Sequence, residues 1–334
     1  MARRPSLQLA ANLLRYGLSL AALLWLAHNV TWSDFAALAQ LDPAVIAGAA
    51  LLSGSTYPLQ AWRWQLLLRT QGLAPPTLAV HRAFWIGLFY NSFLPGGIAG
   101  DAVRFAWLWR IAPDRKAASA ASLIIDRLLG FGTLLALAGC GLGAHLATRG
   151  GGPQLQSLWL LTVAAFLVLL LGWWCGTRGH WWEKLLGRVV GTSRAATFRS
   201  LSQSFQLSFA PLALPVVLSL AIWLLDFTAL WLLAQAVGLS VSLFAIASAA
   251  AAAYVAAALP ISVGGHGVRE TTLIAILALF GVADETNAAL TTLALVFWAV
   301  TVGWALFGGL VCLVSLLRRS PPDSSRATTA EKVR

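Results

Sequence analysis

Charged residues are scarce in this sequence of 334 residues. Asp, Glu, Lys and Arg together make up 10% of it, whereas hydrophobic residues make up 59% and the mean hydropathy is +0.76. Soluble domains carry about a quarter charged residues, so the composition excludes an ordinary soluble fold. Long apolar runs joined by short polar stretches indicate an all-α polytopic membrane protein.

Acidic residues and cysteines are also few. The 12 Asp and Glu face 23 Lys and Arg, which gives a formal net charge of +11. The basic residues are spread between apolar runs and form no continuous basic face with interleaved aromatics, so we expect no nucleic-acid partner. The three cysteines, Cys140, Cys175 and Cys312, lack CxxC spacing. This argues against a disulfide framework or a metal site.

Catalytic and nucleotide-binding signatures are absent as well. The sequence has no GxSxG, no HExxH and no GxxxxGK[ST], and GGHG at residues 264–267 does not follow the dinucleotide-binding pattern. We therefore expect no enzyme activity and no cofactor. Without an ATP site, any transport would run downhill, by scrambling or by coupling to an ion gradient.

Two polar stretches interrupt the apolar sequence and resemble each other. Residues 94–104 read LPGGIAGDAVR and residues 259–270 read LPISVGGHGVRE. Both begin with Leu-Pro, have a glycine five residues after the proline (Gly100 and Gly265), and end their common part with Val-Arg. The two stretches are interpreted as copies of one element.

Each polar stretch lies between two short apolar runs. Residues 83–93 and 103–111 flank the first stretch, and residues 244–258 and 268–279 flank the second. This pattern predicts two re-entrant broken helices, each a hairpin of two short arms. In secondary transporters such paired interruptions mark the substrate site.

About six full spans accompany the two hairpins. They are predicted at residues 13–30, 44–68, 119–147, 155–175, 211–236 and 288–317. The Lys and Arg bias of the loops places both termini in the cytoplasm, with the protein in the cell (inner) membrane. Three full spans separate the hairpins, so the second is inverted relative to the first.

The inverted repeats are predicted at about 44–147 and 211–317, within one transmembrane domain covering residues 1–317. Residues 318–334 are polar and are predicted to be a disordered cytoplasmic tail. In residues 177–210 an apolar face alternates with Lys184, Arg188, Arg194 and Arg199. This segment is interpreted as a basic amphipathic helix on the inner leaflet, or alternatively as a linker helix without a lipid role.

Seven charges lie at membrane depth: Asp101, Arg104, Asp126, Arg127, Asp226, Arg269 and Glu270. Each would cost about 2.5–3.5 kcal/mol at the centre of a lone helix, so they should pair or line a cavity. One interpretation is mutual neutralisation, which fits the neighbours Asp126 and Arg127.

The other interpretation is an anion site. It places Arg104 and Arg269 in the first turn of each second arm, near free N–H groups, with Asp101 as an N-cap. His266 is either a ligand or proton partner, or a structural loop residue.

The motifs resemble those of a known family. They are Asn91, Pro95, Gly96, Gly97, Gly100, Asp101, Arg104, Asp126, Arg127, Pro260, Gly264, Gly265, Gly267, Arg269 and Glu270. In order and spacing, over about residues 10–317, they resemble the lysylphosphatidylglycerol synthase transmembrane (flippase-like) family. This resemblance implies lipid translocation. Only 17 residues follow Leu317, so the synthase activity is not expected here.

The motif residues, together with Asp226 and His266, form the candidate substrate-binding set. The expected partner is a membrane lipid: an anionic phospholipid, or a glycolipid or polyprenyl lipid that carries a phosphate. A separate lipid-modifying enzyme or glycosyltransferase is a further possible partner. Two alternatives stay open. The first is a membrane enzyme with Asp101 or Glu270 as base and His266 assisting, and the second is a non-transporting scaffold in a glycolipid or hopanoid pathway.

Overall fold

The computed structural model describes residues 42–94, 98–177, 210–259, 261–282 and 287–318. Within these ranges the chain forms nine α-helices and no β-strand, which confirms the all-α prediction. The helices are α1 (Pro43–Thr70), α2 (Thr77–Phe93), α3 (Ala99–Ile111), α4 (Lys116–Arg149), α5 (Pro153–Thr177), α6 (Ala213–Ala236), α7 (Leu243–Ala258), α8 (Val268–Leu279) and α9 (Asn287–Leu317). Two short 3₁₀ segments, Pro113–Arg115 and Ala210–Leu212, precede α4 and α6.

Local sequence signals begin and end several of these helices. The Asp42 side chain accepts a hydrogen bond from the N–H of Ala44 (2.8 Å), and Pro43 takes the first helical position of α1. Ser242 caps α7 in the same way through the N–H of Ala245 (3.2 Å). Such caps satisfy N–H groups that have no partner inside the helix.

Four helices are long and apolar enough to cross a membrane: Pro113–Arg149, Pro153–Cys175, Ala210–Ala236 and Ala288–Leu317. They coincide with the last four predicted full spans. Helix α1 covers the predicted span 44–68, and its 28 residues give a length of about 42 Å, which exceeds a hydrocarbon core. The predicted span 13–30, the basic segment of residues 178–209 and the tail after residue 318 lie outside the described residues.

The chain also forms the two predicted helix pairs. We call α2 and α3 the first broken element, and α7 and α8 the second broken element; the two helices of each pair pack against each other. The arms of the second element agree with the prediction to within one residue. In the first element, α2 begins six residues before the predicted arm and α3 begins four residues before it. Asp101, which was expected at the N-cap of the second arm, lies inside α3.

The helices contact one another in a pattern that repeats. Helix α1 packs against α6 more extensively than any other two helices do. Helix α4 packs against α7, and likewise α9 packs against α2. Exchanging α1–α4 with α6–α9 therefore maps the α1–α6 contact onto itself and converts the contact between α4 and α7 into the one between α9 and α2.

Two hydrophobic cores lie in the two sets of helices, α1–α4 and α6–α9. One core lies among α1, α2 and α3, around Trp64, Leu68 and Leu108. The other lies mainly among α6–α9, around Leu230 and Leu273. Helix α5 packs against α4 and leaves most of its apolar surface uncovered, as expected of a helix that faces lipid.

Candidate functional site

A cavity of about 260 Å³ lies where eight of the nine described helices meet. Ten of the predicted site residues line it: Asn91, Gly100, Asp101, Arg104, Asp126, Arg127, Asp226, Gly264, His266 and Arg269. Glu270 is fully buried and contacts Arg269, whereas Gly265 and Gly267 are not among the residues that line the cavity. Pro95, Gly96, Gly97 and Pro260 lie outside the described residues.

The glycines of the second polar stretch bring the two broken elements together. Gly264, Gly265 and Gly267 have φ angles of 60°, 78° and 79°, which L side chains rarely adopt. A side chain at Gly264 would overlap the carbonyl of Ser92 at the end of α2. One at Gly265 would overlap Ala257. These glycines therefore serve the turn and the close approach of the two elements.

A second close approach positions Arg104. A side chain at Gly100 would overlap the carbonyl of Gly87, so the two glycines let α3 lie directly against α2. The Arg104 guanidinium lies over the rings of Trp64 (5.0 Å) and Phe84 (5.4 Å). Cation–π contacts of this kind hold a buried guanidinium without neutralising its charge.

The first cluster consists of Arg63, Asp101, Arg104, Asp126 and Arg127. Asp101 accepts hydrogen bonds from Arg104 and from Nε of Arg127 (2.7 Å). Asp126 accepts a hydrogen bond from Nε of Arg63 (2.9 Å), and its other oxygen lies 3.6 Å from Nη1 of Arg104. Three arginines thus share two carboxylates, so the first cluster has one excess positive charge.

Three expectations about the first cluster were wrong. Asp126 and Arg127 do not neutralise each other; each pairs with a charge on another helix, because consecutive residues of a helix point about 100° apart. Arg104 lies in the second turn of α3 and Asp101 lies in the first turn without acting as the N-cap, since the helix already begins at Ala99.

One donor of the first cluster is left over. Nη1 of Arg104 is buried and has no hydrogen-bond partner among the described residues. The same holds for Oδ1 of Asn91, on the neighbouring helix α2. Both residues line the cavity. A buried donor and a buried acceptor without partners are rare in folded proteins, and ligands often satisfy such groups.

The second cluster consists of Ser53, Asp226, Tyr254, Arg269, Glu270 and Thr301. Arg269 lies in the first turn of α8, as predicted, and donates from Nε (2.9 Å) and Nη2 (2.6 Å) to Oε1 of Glu270. Nη2 also donates to Thr301 (2.7 Å). The second oxygen of Glu270 accepts from the N–H of Gly267 (2.7 Å), which closes the start of α8.

Asp226 differs from the other carboxylates of the site. It is buried in the middle of α6, and it accepts hydrogen bonds from the hydroxyls of Ser53 (3.1 Å) and Tyr254. Among the described residues no arginine or lysine pairs with it. The second cluster therefore has one excess negative charge when Asp226 is ionised.

Several residues of this site were not predicted from the sequence. Arg63, Tyr57 and Tyr254 line the cavity, as do Gln60 and Trp223. Arg63 could have been found, because an arginine in the middle of the apolar span 44–68 is costly unless it has a buried role. The tyrosines gave no such signal, since aromatic residues are common in membrane helices.

The His266 ring lies between Phe93 and Trp298, with ring centroids 6.4 Å and 6.3 Å away. In the part of the chain that the structure describes, no group of three or more His, Cys, Asp or Glu side chains is arranged to hold a metal ion. His266 contacts the first broken element through Phe93 and α9 through Trp298, and both of its ring nitrogens are buried without a hydrogen-bond partner among the described residues.

The sequence is similar to known proteins over most of its length. The model of the lysylphosphatidylglycerol synthase TM region matches residues 12–320. A protein of Methanothermobacter thermautotrophicus, described as a UPF0104 membrane protein, is 23% identical over 286 residues, which cover 79% of this chain and 85% of that protein. The matched region contains both broken elements and every helix of the cavity. The chain belongs to the lysylphosphatidylglycerol synthase transmembrane family.

Proposed function

We propose that this protein moves an anionic lipid between the two leaflets of the membrane by binding its head group in the central cavity. The substrate class is a phospholipid, a glycolipid or a polyprenyl lipid that carries a phosphate. The observation that carries this proposal is the buried Nη1 of the cavity-lining Arg104, a charged donor that has no hydrogen-bond partner among the described residues. A phosphate oxygen is the acceptor best suited to it.

The neighbouring Asn91 refines the head group. Its Oδ1 also lacks a partner and needs a donor. A phosphate monoester or diester without hydroxyls offers only acceptors, whereas a glycerol or sugar hydroxyl next to the phosphate would donate to Asn91. The two groups together favour a head group that combines a phosphate with a hydroxyl.

Arg127 offers an entry contact. Its side chain is 38% exposed, compared with 8% for Arg104, and it still pairs with Asp101. A head group that arrives from the water can exchange with this pair before it reaches the buried donor, because partly solvated ion pairs are weak.

The size of the cavity suits a head group better than a whole lipid. Sites for drug-sized ligands have volumes of about 300–1,000 Å³, and this cavity has about 260 Å³. The acyl chains would therefore remain in the bilayer while the head group crosses, so the hydrocarbon never has to accommodate a bare phosphate.

The repeating helix contacts support two inverted repeats, at about 44–147 and 211–317, with both broken elements re-entrant. Exchanging the two halves preserves the packing, and among the described residues three helices, α4, α5 and α6, lie between the two elements. An odd number of crossings inverts the second half relative to the first, which is the architecture of alternating access. The loop charges further favour cytoplasmic termini in the cell membrane.

The carboxylates give little support for the enzyme alternative. Both oxygens of Asp101 accept hydrogen bonds from arginines. One oxygen of Glu270 accepts from Arg269, and the other accepts from the N–H of Gly267. A general base needs an oxygen within reach of the substrate proton, and these oxygens are occupied.

Reconstitution into proteoliposomes with fluorescent phosphatidylglycerol tests the proposal. Arg104→Gln should lower the translocation rate by about tenfold or more, because loss of a buried charged hydrogen bond costs about 1.5–3 kcal/mol. Arg269→Gln should have a similar effect, since it frees the Glu270 charge beside the cavity. Lysine at either position should restore only part of the rate, because it keeps the charge and loses the bidentate geometry.

Arg110→Gln is the matched control, because Arg110 lies on the same helix as Arg104 and is exposed. It should translocate at the wild-type rate. Wild-type rates for folded Arg104→Gln and Arg269→Gln variants would refute the proposal and favour the scaffold alternative.

A further inference from the structure

The charges of the pocket balance only as a whole. The first cluster has three arginines and two carboxylates, and the second has one arginine and two carboxylates. With Asp226 ionised, the four arginines and four carboxylates sum to zero. An anionic head group adds one negative charge, which is costly to bury without compensation.

Asp226 is the carboxylate that can provide this compensation. Ser53 and Tyr57 lie next to it from α1, Tyr254 from α7 and Arg269 from α8. Thr301 of α9 lines the same pocket. Asp126 of α4 lines the same pocket, and Arg63 of α1 pairs with Asp126. Among the described residues, Asp226 is thus the acid of the pocket whose hydrogen-bond partners are hydroxyls alone.

Hydroxyl partners suit both protonation states of a carboxyl group. An arginine can only donate, so it holds a carboxylate in its ionised form. A serine or tyrosine hydroxyl donates to a carboxylate and can rotate to accept from a protonated carboxyl group. The Ser53 and Tyr254 contacts therefore satisfy Asp226 with or without a proton.

We propose that Asp226 binds one proton whenever an anionic head group occupies the cavity, so that lipid and proton cross the membrane together. This inference rests on the proposed function. The proton comes from the water on the side where the head group enters, and it leaves to the water on the other side. The pocket is neutral when it is empty with Asp226 ionised, and neutral again when it holds a monoanionic head group with Asp226 protonated.

This coupling makes transport electroneutral. A pH gradient then drives the lipid towards the leaflet that faces the less acidic solution, by up to about tenfold per pH unit at equilibrium. An electrical potential has no effect, because no net charge crosses the membrane. In Asp226→Asn the head group crosses alone and carries its negative charge with it. The variant therefore loses the response to pH and responds to potential instead, by about tenfold for roughly 60 mV.

The experiment uses the full chain in proteoliposomes with fluorescent phosphatidylglycerol, a monoanionic probe, and measures its leaflet distribution by back-extraction with albumin. A pH gradient and a potassium diffusion potential are imposed separately. Wild type is expected to follow the pH gradient alone, and Asp226→Asn the potential alone. Asp226→Glu keeps a titratable carboxyl group and should keep a response to the pH gradient and none to the potential, whatever its rate. Asp114→Asn makes the same chemical change at an exposed position and should also behave as wild type.

Two outcomes overturn the coupling and leave the proposed function standing: a wild-type protein that follows the potential and ignores the pH gradient, or an Asp226→Asn variant that keeps the wild-type response to pH. A wild-type protein that does not move the probe under any gradient overturns the proposed function and this inference with it.

Discussion

The two clusters of the cavity each contain the arginine of a similar Leu-Pro…Val-Arg stretch, and yet they differ in net charge and in how that arginine is paired. In the first cluster three arginines share two carboxylates, one buried donor has no hydrogen-bond partner among the described residues, and Arg127 reaches the solvent. In the second cluster Glu270 pairs with Arg269, and Asp226 has hydroxyl partners. The two stretches therefore share the arginine and not its surroundings.

The helix starts explain much of this difference. Helix α3 begins five residues before Arg104, so a full turn separates the arginine from the helix start and Asp101 occupies the intervening turn. Helix α8 begins one residue before Arg269, so the adjacent Glu270 can both cap the helix and bind the guanidinium. Arg104 therefore belongs to a network of three arginines and two carboxylates, whereas Arg269 pairs directly with the neighbouring Glu270.

The largest effect is expected when the carboxylate that pairs with Arg269 in the second cluster is removed. Glu270→Ala leaves a buried guanidinium without its carboxylate and an N–H of Gly267 without its acceptor. Breaking a buried ion pair on one side costs about 3–5 kcal/mol, and we expect this loss in the free energy of unfolding, measured by denaturation in detergent micelles. Asp114→Ala removes an exposed carboxylate and should leave stability unchanged. A loss of unfolding free energy below about 1 kcal/mol for Glu270→Ala would show that the ion pair between Glu270 and Arg269 behaves like an exposed pair, contrary to the structure.

A smaller effect is expected where the two elements touch. Gly264→Ala forces a residue with a side chain into the left-handed region, at about 1–2 kcal/mol, and it also pushes against the carbonyl of Ser92. The same unfolding measurement should show a loss of at least this size. Gly303→Ala in α9 is the matched control, because no atom lies within 4 Å of the added Cβ and alanine favours a helix. Equal unfolding free energies of the two variants would show that the contact between the two elements does not stabilise the fold.

The smallest effect on stability, and the sharpest contrast between the clusters, is expected at Arg127. Its guanidinium is more than a third exposed, so Arg127→Gln should cost no more than about 1 kcal/mol in unfolding free energy. Its translocation rate should fall because the entry contact for the head group is lost. A large loss of stability with an unchanged rate would make Arg127 a structural residue and would remove the open character of the first cluster.

The helices were largely predictable because their signals are local. Hydrophobic runs of sufficient length gave the four apolar spans to within a few residues, and the Leu-Pro and glycine pattern marked both breaks. Errors arose at the first element, where both arms begin four to six residues before their predicted starts and Asp101 was expected at an N-cap. Asp101 is tolerated inside α3 because Arg127 of α4 pairs with it.

The sequence by itself thus determined the class of protein, the two broken elements and the presence of buried charges, since composition and spacing are properties of neighbouring residues. Only the tertiary structure decided which charge meets which. Ser53 and Asp226 are 173 residues apart, and Arg63 and Asp126 are 63 apart, yet each pair shares a hydrogen bond. Such pairings depend on how whole helices pack and rotate, and a buried charge is stable only where that packing brings it a partner.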